Sequence, residues 1–251
     1  MDVIRYARTF PPLPTDRGPA MIVGSGLVAR AFTPLFADDA RTVIFASGVS
    51  NSSETDPAAF ARERAMLAQY LAGDITRLVY FGSCNVVNPL QDSPYFRHKR
   101  AMEALVAAHP AGIVLRLPQV VGHTRNPNTL TNFLRDRILA GDPVTVWTRA
   151  CRNLIDIDDV VRIAAQLLSG AGPVPKVVSI ASPWSLPMTE IVSLFESVLG
   201  RRAQVIAVDR GEEMVIDTAL AERTARDIGL DFGPDYPLRV IHKYYGQPHE
   251  S

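Results

Sequence analysis

Met21-Ile22-Val23-Gly24-Ser25-Gly26-Leu27-Val28-Ala29 is the stretch on which the fold turns. Three apolar residues suited to a buried strand run into two glycines, and Leu27, Val28, Ala31 and Leu35 then follow at helical spacing. The order is strand, tight turn, helix. In the pattern Gly24-x-Gly26-x-x-Ala29 the first glycine permits the turn and the second lets a pyrophosphate approach the backbone. Ala29 is small enough for the helix to sit close to the strand. Free N–H groups and the positive end of the helix then face the anion. Gly24, Ser25, Gly26 and Leu27 are therefore candidate dinucleotide contacts; a plain helix–strand packing turn is the competing reading.

Working outward, Val43–Ala46, Leu78–Phe81 and Ile113–Arg116 read as further buried strands. Helices over Ala58–Leu71 (Asp56 as cap, Pro57 in the first turn) and Lys99–Ala108 separate them. Strands alternating with helices predict an α/β fold, a doubly wound parallel sheet covered on both faces. Beyond it, helices are expected over Thr129–Leu139, Asp158–Leu168, Thr189–Leu199 (Thr189 as cap) and Ala219–Ile228. Short strands are expected at Val144–Trp147, Val177–Ile180 and Ala203–Val208. The division expected is an arm over 1–20, a Rossmann-like unit over 21–122, and a segment over 123–251 that completes the sheet and forms a small lobe.

Composition narrows the function. The 251 residues are 47% hydrophobic and 21% charged, which is enough apolar material for one core without disulfide or metal staples. Lys+Arg and Asp+Glu both number 26, so a basic nucleic-acid footprint is not supported. No apolar run reaches membrane-spanning length, and MDVIRYARTFPPLP lacks the apolar core of a secretory signal; a cytoplasmic protein is expected. Neither Cys84 and Cys151 nor the five histidines show metal-ligand spacing, so no metal is expected.

Tyr95 and Lys99 lie four apart on a helix, facing one side. A nearby ammonium stabilises phenolate, so Tyr95 is expected to exchange a proton nearer neutral pH than an ordinary phenol. Ser83 lies just past the strand Leu78–Phe81, where its hydroxyl can hold a substrate oxygen against the tyrosine. Each piece alone is common; the ordered set of glycine turn, strand-end serine and Tyr-x-x-x-Lys is far more specific.

With these pieces the chain resembles the extended short-chain dehydrogenase/reductases, the nucleotide-sugar epimerase, dehydratase and reductase branch. Val79–Val87, Arg116–Gly122 (RLPQVVG) and Arg152–Val160 (RNLIDIDDV) continue the likeness over about residues 21–246. The resemblance implies a Rossmann domain, a small sugar-nucleotide lobe and a nicotinamide cofactor, NAD or NADP. It implies Tyr95 as general acid or base, Lys99 lowering its pKa and touching the nicotinamide ribose, and Ser83 orienting the substrate. Ala46, Ser47 and Gln119 join the implied cofactor contacts, and Asn85 the substrate side. It also implies surface polysaccharide or glycoside biosynthesis, and a homodimer through helices 58–71 and 95–108, using Met66, Leu67, Tyr70, Met102, Leu105 and Val106.

The chain departs from the family in two places. The interval from Gly24 to Ser83 is much shorter than the family's, which predicts loss of the second and third strands and of the acid that binds the adenine ribose. Asp38 and Asp39 precede the next strand, and only Arg30 and Arg41 are nearby cations. Both read best as solvated surface residues, and weak cofactor affinity overall is expected, with at most a modest preference for NADP. Cys84 directly follows Ser83 and reads as packing. On the substrate side the segment HTRNPNTLTN offers Asn126, Asn128 and Asn132, one of which serves equally as a helix cap. Arg149 and Arg152 can clasp a diphosphate, although Arg152 can equally pair with Asp156 or Asp158. Ser50 and Asn51 lie beyond a strand's carboxyl end, where open sheets bind ligands. The enzyme expected is an epimerase or reductase on a nucleotide sugar, and the alternative is a non-catalytic binding relative.

Overall fold

The computed structural model describes residues 21–36, 42–170 and 172–246; the expected arm over 1–20, Asp38, Asp39 and Arg41 lie outside them. The first half runs β1 (Met21–Val23), α1 (Leu27–Phe36), β2 (Thr42–Phe45), α2 (Pro57–Leu71), β3 (Arg77–Ser83), a 3-10 turn (Cys84–Val87), α3 (Pro94–Ala108) and β4 (Gly112–Leu117). The second runs β5 (Gln119–Val121), α4 (Leu130–Ala140), β6 (Pro143–Trp147), β7 (Cys151–Asp156), α5 (Ile157–Ser169) and β8 (Val177–Ser179). It ends with β9 (Ser185–Pro187), α6 (Met188–Leu199), β10 (Gln204–Val208), α7 (Ala219–Asp227) and α8 (Tyr236–Tyr245).

Local chemistry explains the boundaries that place the site. Asp56 caps α2 by accepting the Ala58 N–H at 2.9 Å, with Pro57 in the first turn. Ser93 caps α3, Thr129 caps α4 and Asp156 caps α5. Gly141 and Gly200 end α4 and α6 in the left-handed conformation. Helix α6 starts at Met188 after Pro187, so Thr189 is not its cap.

Strands β1, β2, β3, β4 and β8 form one all-parallel sheet in that order. Ile22 lies opposite Ile44, so β2 sits directly beside β1, where a Rossmann sheet without its second and third strands would place it. Ile44, Val79 and Leu115 pack against Phe32 and Phe36 of α1 and Val160 and Ile163 of α5. Their neighbours Val43, Phe45, Leu78 and Val114 pack against Leu67 and Leu71 of α2 and Met102 and Val106 of α3. Helices thus cover both faces, as the sequence predicts.

One consequence of the shortening is topological. Helices α1 and α2 lie on opposite faces, yet both connections step the same way along the sheet. The two crossovers therefore have opposite hands, and only one has the right hand that nearly all such units adopt. The described strand order contains no reversal, and β1 is its edge. Among the described residues, the crevice that a reversal opens for a dinucleotide is therefore not formed on the adenine side.

Strands β5, β7 and β9 form a second sheet, and β6 pairs with β10. Leu134, Ile138, Val144, Val146, Phe195 and Ile241 pack there as the core of a small lobe. Leu67, Met102 and Val106, expected at a homodimer contact, are instead buried against the chain's own sheet, with Met66, Tyr70 and Leu105 packed beside them. No helix of the described residues is long and apolar enough to cross a membrane.

Candidate functional site

The glycine turn is built as its pattern requires. Gly24 has φ 118°, a conformation L side chains rarely adopt, and a Cβ there would lie 2.5 Å from the Ala46 carbonyl oxygen. This fit seats Ala46 and Ser47 against the turn. A Cβ on Gly26 would meet nothing within 4 Å, so the space over it is open. Helix α1 begins at the next residue, and Leu27 packs where a Cβ on Gly122 would meet it at 2.9 Å. Arg30 is exposed but is not simply solvated: its guanidinium donates to Ser25 O (3.0 Å) and His123 O (3.5 Å). The loop after β5 is thereby tied to the turn. A cleft of about 640 Å³ opens there, lined by Arg30, His123, Thr124, Arg125 and Asn126. The turn fits a pyrophosphate. The end of β2, Ala46-Ser47-Gly48, offers an adenine ribose no carboxylate.

Ser83 ends β3 and caps the following 3-10 turn, its Oγ accepting the Asn85 N–H at 3.3 Å. Tyr95 and Lys99 lie on the first turns of α3, antiparallel to β3, and so stand at the same end of the sheet. Tyr95 packs with Val86, Phe96, Val49 and Phe60. Its hydroxyl makes no hydrogen bond within the described residues and is not fully enclosed.

Lys99 is placed otherwise than the sequence suggests. Its ammonium is buried, donating to Glu63 Oε1 (3.1 Å) and Tyr80 OH (2.9 Å). Glu63 is only 2% exposed. Its Oε1 also accepts the Tyr80 hydroxyl (2.8 Å), and its Oε2 accepts the Val49 N–H (2.8 Å) and bonds His98 Nε2 (2.9 Å). A carboxylate only accepts, so Nε2 carries a proton. Burial raises the Glu63 pKa, but Lys99 and the donors from Val49, His98 and Tyr80 outweigh it and hold the group below its ordinary range. Burial lowers the Lys99 pKa against the pull of Glu63 and Glu103. Glu103, one turn further along α3, is also buried and pairs with Arg116 (2.7 Å).

The Tyr95 phenol therefore moves opposite to the expected direction. Burial first, then the Glu63 and Glu103 carboxylates, push it up to about 12. The expectation took Lys99 as the only charge near Tyr95, whereas two buried carboxylates share the lysine.

The remaining candidates divide. Gln119 is half-buried on β5, and Asn85 sits in the turn after Ser83. Asn132 is buried and donates to Thr124 O (2.9 Å) and Asn126 O (2.8 Å) while accepting from Tyr245 (2.9 Å). It shapes the 124–128 loop, in which Asn126 Oδ1 accepts the Asn128 N–H (3.0 Å). Asn51 is exposed and closes a turn onto Ser53, next to exposed Ser50. Arg149 pairs with Asp209 at the surface (2.9 Å).

Arg152 does not pair with Asp156 or Asp158: Lys243 of α8 takes both, at 2.6 and 2.7 Å. Its guanidinium is half-buried, bonds the Cys151 carbonyl and lies in the field of Glu212, to which Gln91 donates. Cys84 is buried, and burial pushes its thiol up to about 12, in keeping with a packing role. The described residues contain no group of three or more His, Cys, Asp or Glu suited to a metal.

Residues 21–181 match the model of the NAD dependent epimerase/dehydratase family, and the chain belongs to that family. Solved structures share the fold at low identity. UDP-glucuronic acid 4-epimerase from Bacillus cereus, solved with UDP-glucuronic acid and NAD, superposes with a TM-score of 0.64 at 18% identity, covering 82% of this chain and 76% of that one. UDP-glucose 4-epimerase from Thermus thermophilus, solved with NAD, gives 0.62 at 16% identity over 87% and 80%. A NAD-dependent NDP-hexosamine 5,6-dehydratase involved in tunicamycin biosynthesis gives 0.61 at 21% identity over 82% and 76%. No curated protein sequence matches the chain.

Proposed function

We propose that this chain is an NAD(P)-dependent enzyme acting on a nucleotide-activated sugar, with Tyr95 as the proton-transfer group and Ser83 holding the substrate oxygen. The observation that carries the reading is the unpartnered Tyr95 hydroxyl at the sheet end where Ser83 and the open glycine turn also lie. Residues Gly24–Leu27 would hold the pyrophosphate, with Ala46 and Ser47 beside it. A bound nicotinamide supplies or takes up a hydride. Tyr95, protonated to about pH 12, is a proton donor across the physiological range. That favours reduction of a keto sugar, in which Tyr95 gives its proton to the carbonyl oxygen, over an epimerisation that begins by removing a hydroxyl proton. Arg152 and the loop bearing Asn126 and Asn128 are the proposed sugar-nucleotide side. A cytoplasmic setting, polysaccharide or glycoside biosynthesis, and a homodimer belong to the same proposal.

Two observations favour a second reading, a binding relative without hydride chemistry: β1 stands at the edge of the sheet as the described residues form it, and Glu63 occupies the lysine that would meet a nicotinamide ribose. One experiment separates the two. The protein is offered keto-sugar nucleotides with reduced NAD or NADP, and UDP-sugars with the oxidised forms, while nicotinamide absorbance and sugar products are followed. Turnover supports the enzyme. Binding of the sugar nucleotide with neither turnover nor dinucleotide binding overturns it in favour of the second reading.

A further inference from the structure

We propose that Glu63 is the positioning residue of this site: it keeps the Lys99 ammonium as its own counter-ion and so leaves the Tyr95 phenol holding its proton. The proposal deepens the proton-donor reading above and rests on it for its functional meaning, though not for its test.

Geometry carries the inference. Glu63 lies in the stripe of α2 that Leu67 and Leu71 continue, all three facing the sheet. A carboxylate thus stands where the helix otherwise buries leucine. It joins three elements at the carboxyl end of the sheet: the loop after β2 through Val49 N–H, strand β3 through the Tyr80 hydroxyl, and helix α3 through His98 and Lys99. The loop is shaped to admit it, since a Cβ on Gly48 would lie 2.6 Å from Glu63 Oε1. Lys99 also bonds Tyr80, and its ammonium lies 5.9 Å from the centre of the Tyr95 ring.

The charged and titratable groups facing this pair are Glu63 from α2, Tyr80 from β3, His98 and Glu103 from α3, and Arg116 from β4. Arg116 is taken by Glu103. Lys99 therefore answers Glu63, and Tyr95 faces a balanced pair where a free cation would draw its proton off. An unanswered lysine in the Tyr-x-x-x-Lys arrangement favours phenolate; this arrangement favours phenol.

The test is tyrosine titration in protein carrying 13C at the tyrosine Cζ, with the Tyr95 signal identified by its loss in Tyr95→Phe. In the wild type that signal is expected to stay in its phenol form up to about pH 11. In Glu63→Gln, which keeps the side-chain shape and removes the charge, its midpoint is expected to fall by about one pH unit or more. An unmoved signal in a folded Glu63→Gln variant overturns the proposal. A second measurement needs no variant at Glu63: 15N-lysine spectra of the wild type should show one ammonium group protected from solvent exchange, absent from Lys99→Met. No protected ammonium overturns the proposal equally. Neither readout uses a nucleotide, so failure here leaves the proposed reaction standing, and failure of nucleotide binding leaves the Glu63–Lys99 pair standing.

Discussion

Tyr95→Phe is expected to lower turnover by about 10²–10⁴-fold, the range that a positioned proton donor contributes. The ring stays; only the hydroxyl goes. That hydroxyl makes no hydrogen bond in the described structure, so its removal breaks no contact and the melting temperature should hold. Sugar-nucleotide affinity, measured by calorimetry, should change little. Loss of turnover with binding and fold retained is the signature of a group used in the transition state. An unchanged rate removes Tyr95 from the chemistry.

The largest stability effect is expected at Lys99. Lys99→Met removes the cation and leaves the Glu63 carboxyl group in the core without its counter-ion, which costs about 3–5 kcal/mol in urea unfolding. Adding Glu63→Gln should restore most of that loss, because the second charge then goes as well. The pH dependence follows from the direction of the Glu63 shift. In the wild type its folded pKa is depressed, so its stabilisation is present above the unfolded value and is lost as pH falls through the folded value. In Lys99→Met the sign reverses. A buried carboxylate without its cation takes up a proton on folding, and stability should rise as the pH falls toward the carboxylate range. Additive single and double variants, or an acid limb that keeps its sign, would show that the two groups do not act as a pair.

The sheet was readable because its parallel strands are continuous apolar runs, and because Gly24, Asp56 and Pro57 mark a turn and a cap. The loss of two strands was readable from the short interval between Gly24 and Ser83, and β1 pairs with β2 accordingly. Strands β5 and β9, Gln119–Val121 and Ser185–Pro187, are short and begin on polar residues, so neither stands out as a buried run. Helix α8 was not anticipated; in the structure Tyr236, Lys243 and Tyr244 bond the acids at the start of α5. In the site, the sequence pointed to Tyr95, Lys99 and Ser83 but not to Glu63. The signal was present: Glu63, Leu67 and Leu71 share a helix face, as do Tyr95, Lys99 and Glu103. A charge in register with buried leucines predicts a buried partner. Which partner depends on how α2 and α3 lie side by side on the sheet, and one sequence does not specify that.

Whether the glycine turn of this shortened sheet holds a dinucleotide is decided by calorimetry of NAD and NADP against the wild type and Gly26→Val. A Cβ at position 26 would meet nothing within 4 Å, so the variant is expected to melt with the wild type. It would, however, fill the space through which a pyrophosphate reaches the backbone. Measurable dinucleotide binding by the wild type is expected, with at least about a tenfold loss in Gly26→Val, a difference of about 1.4 kcal/mol. Equal affinity in the two proteins, or no binding by either, would contradict a dinucleotide site at the turn.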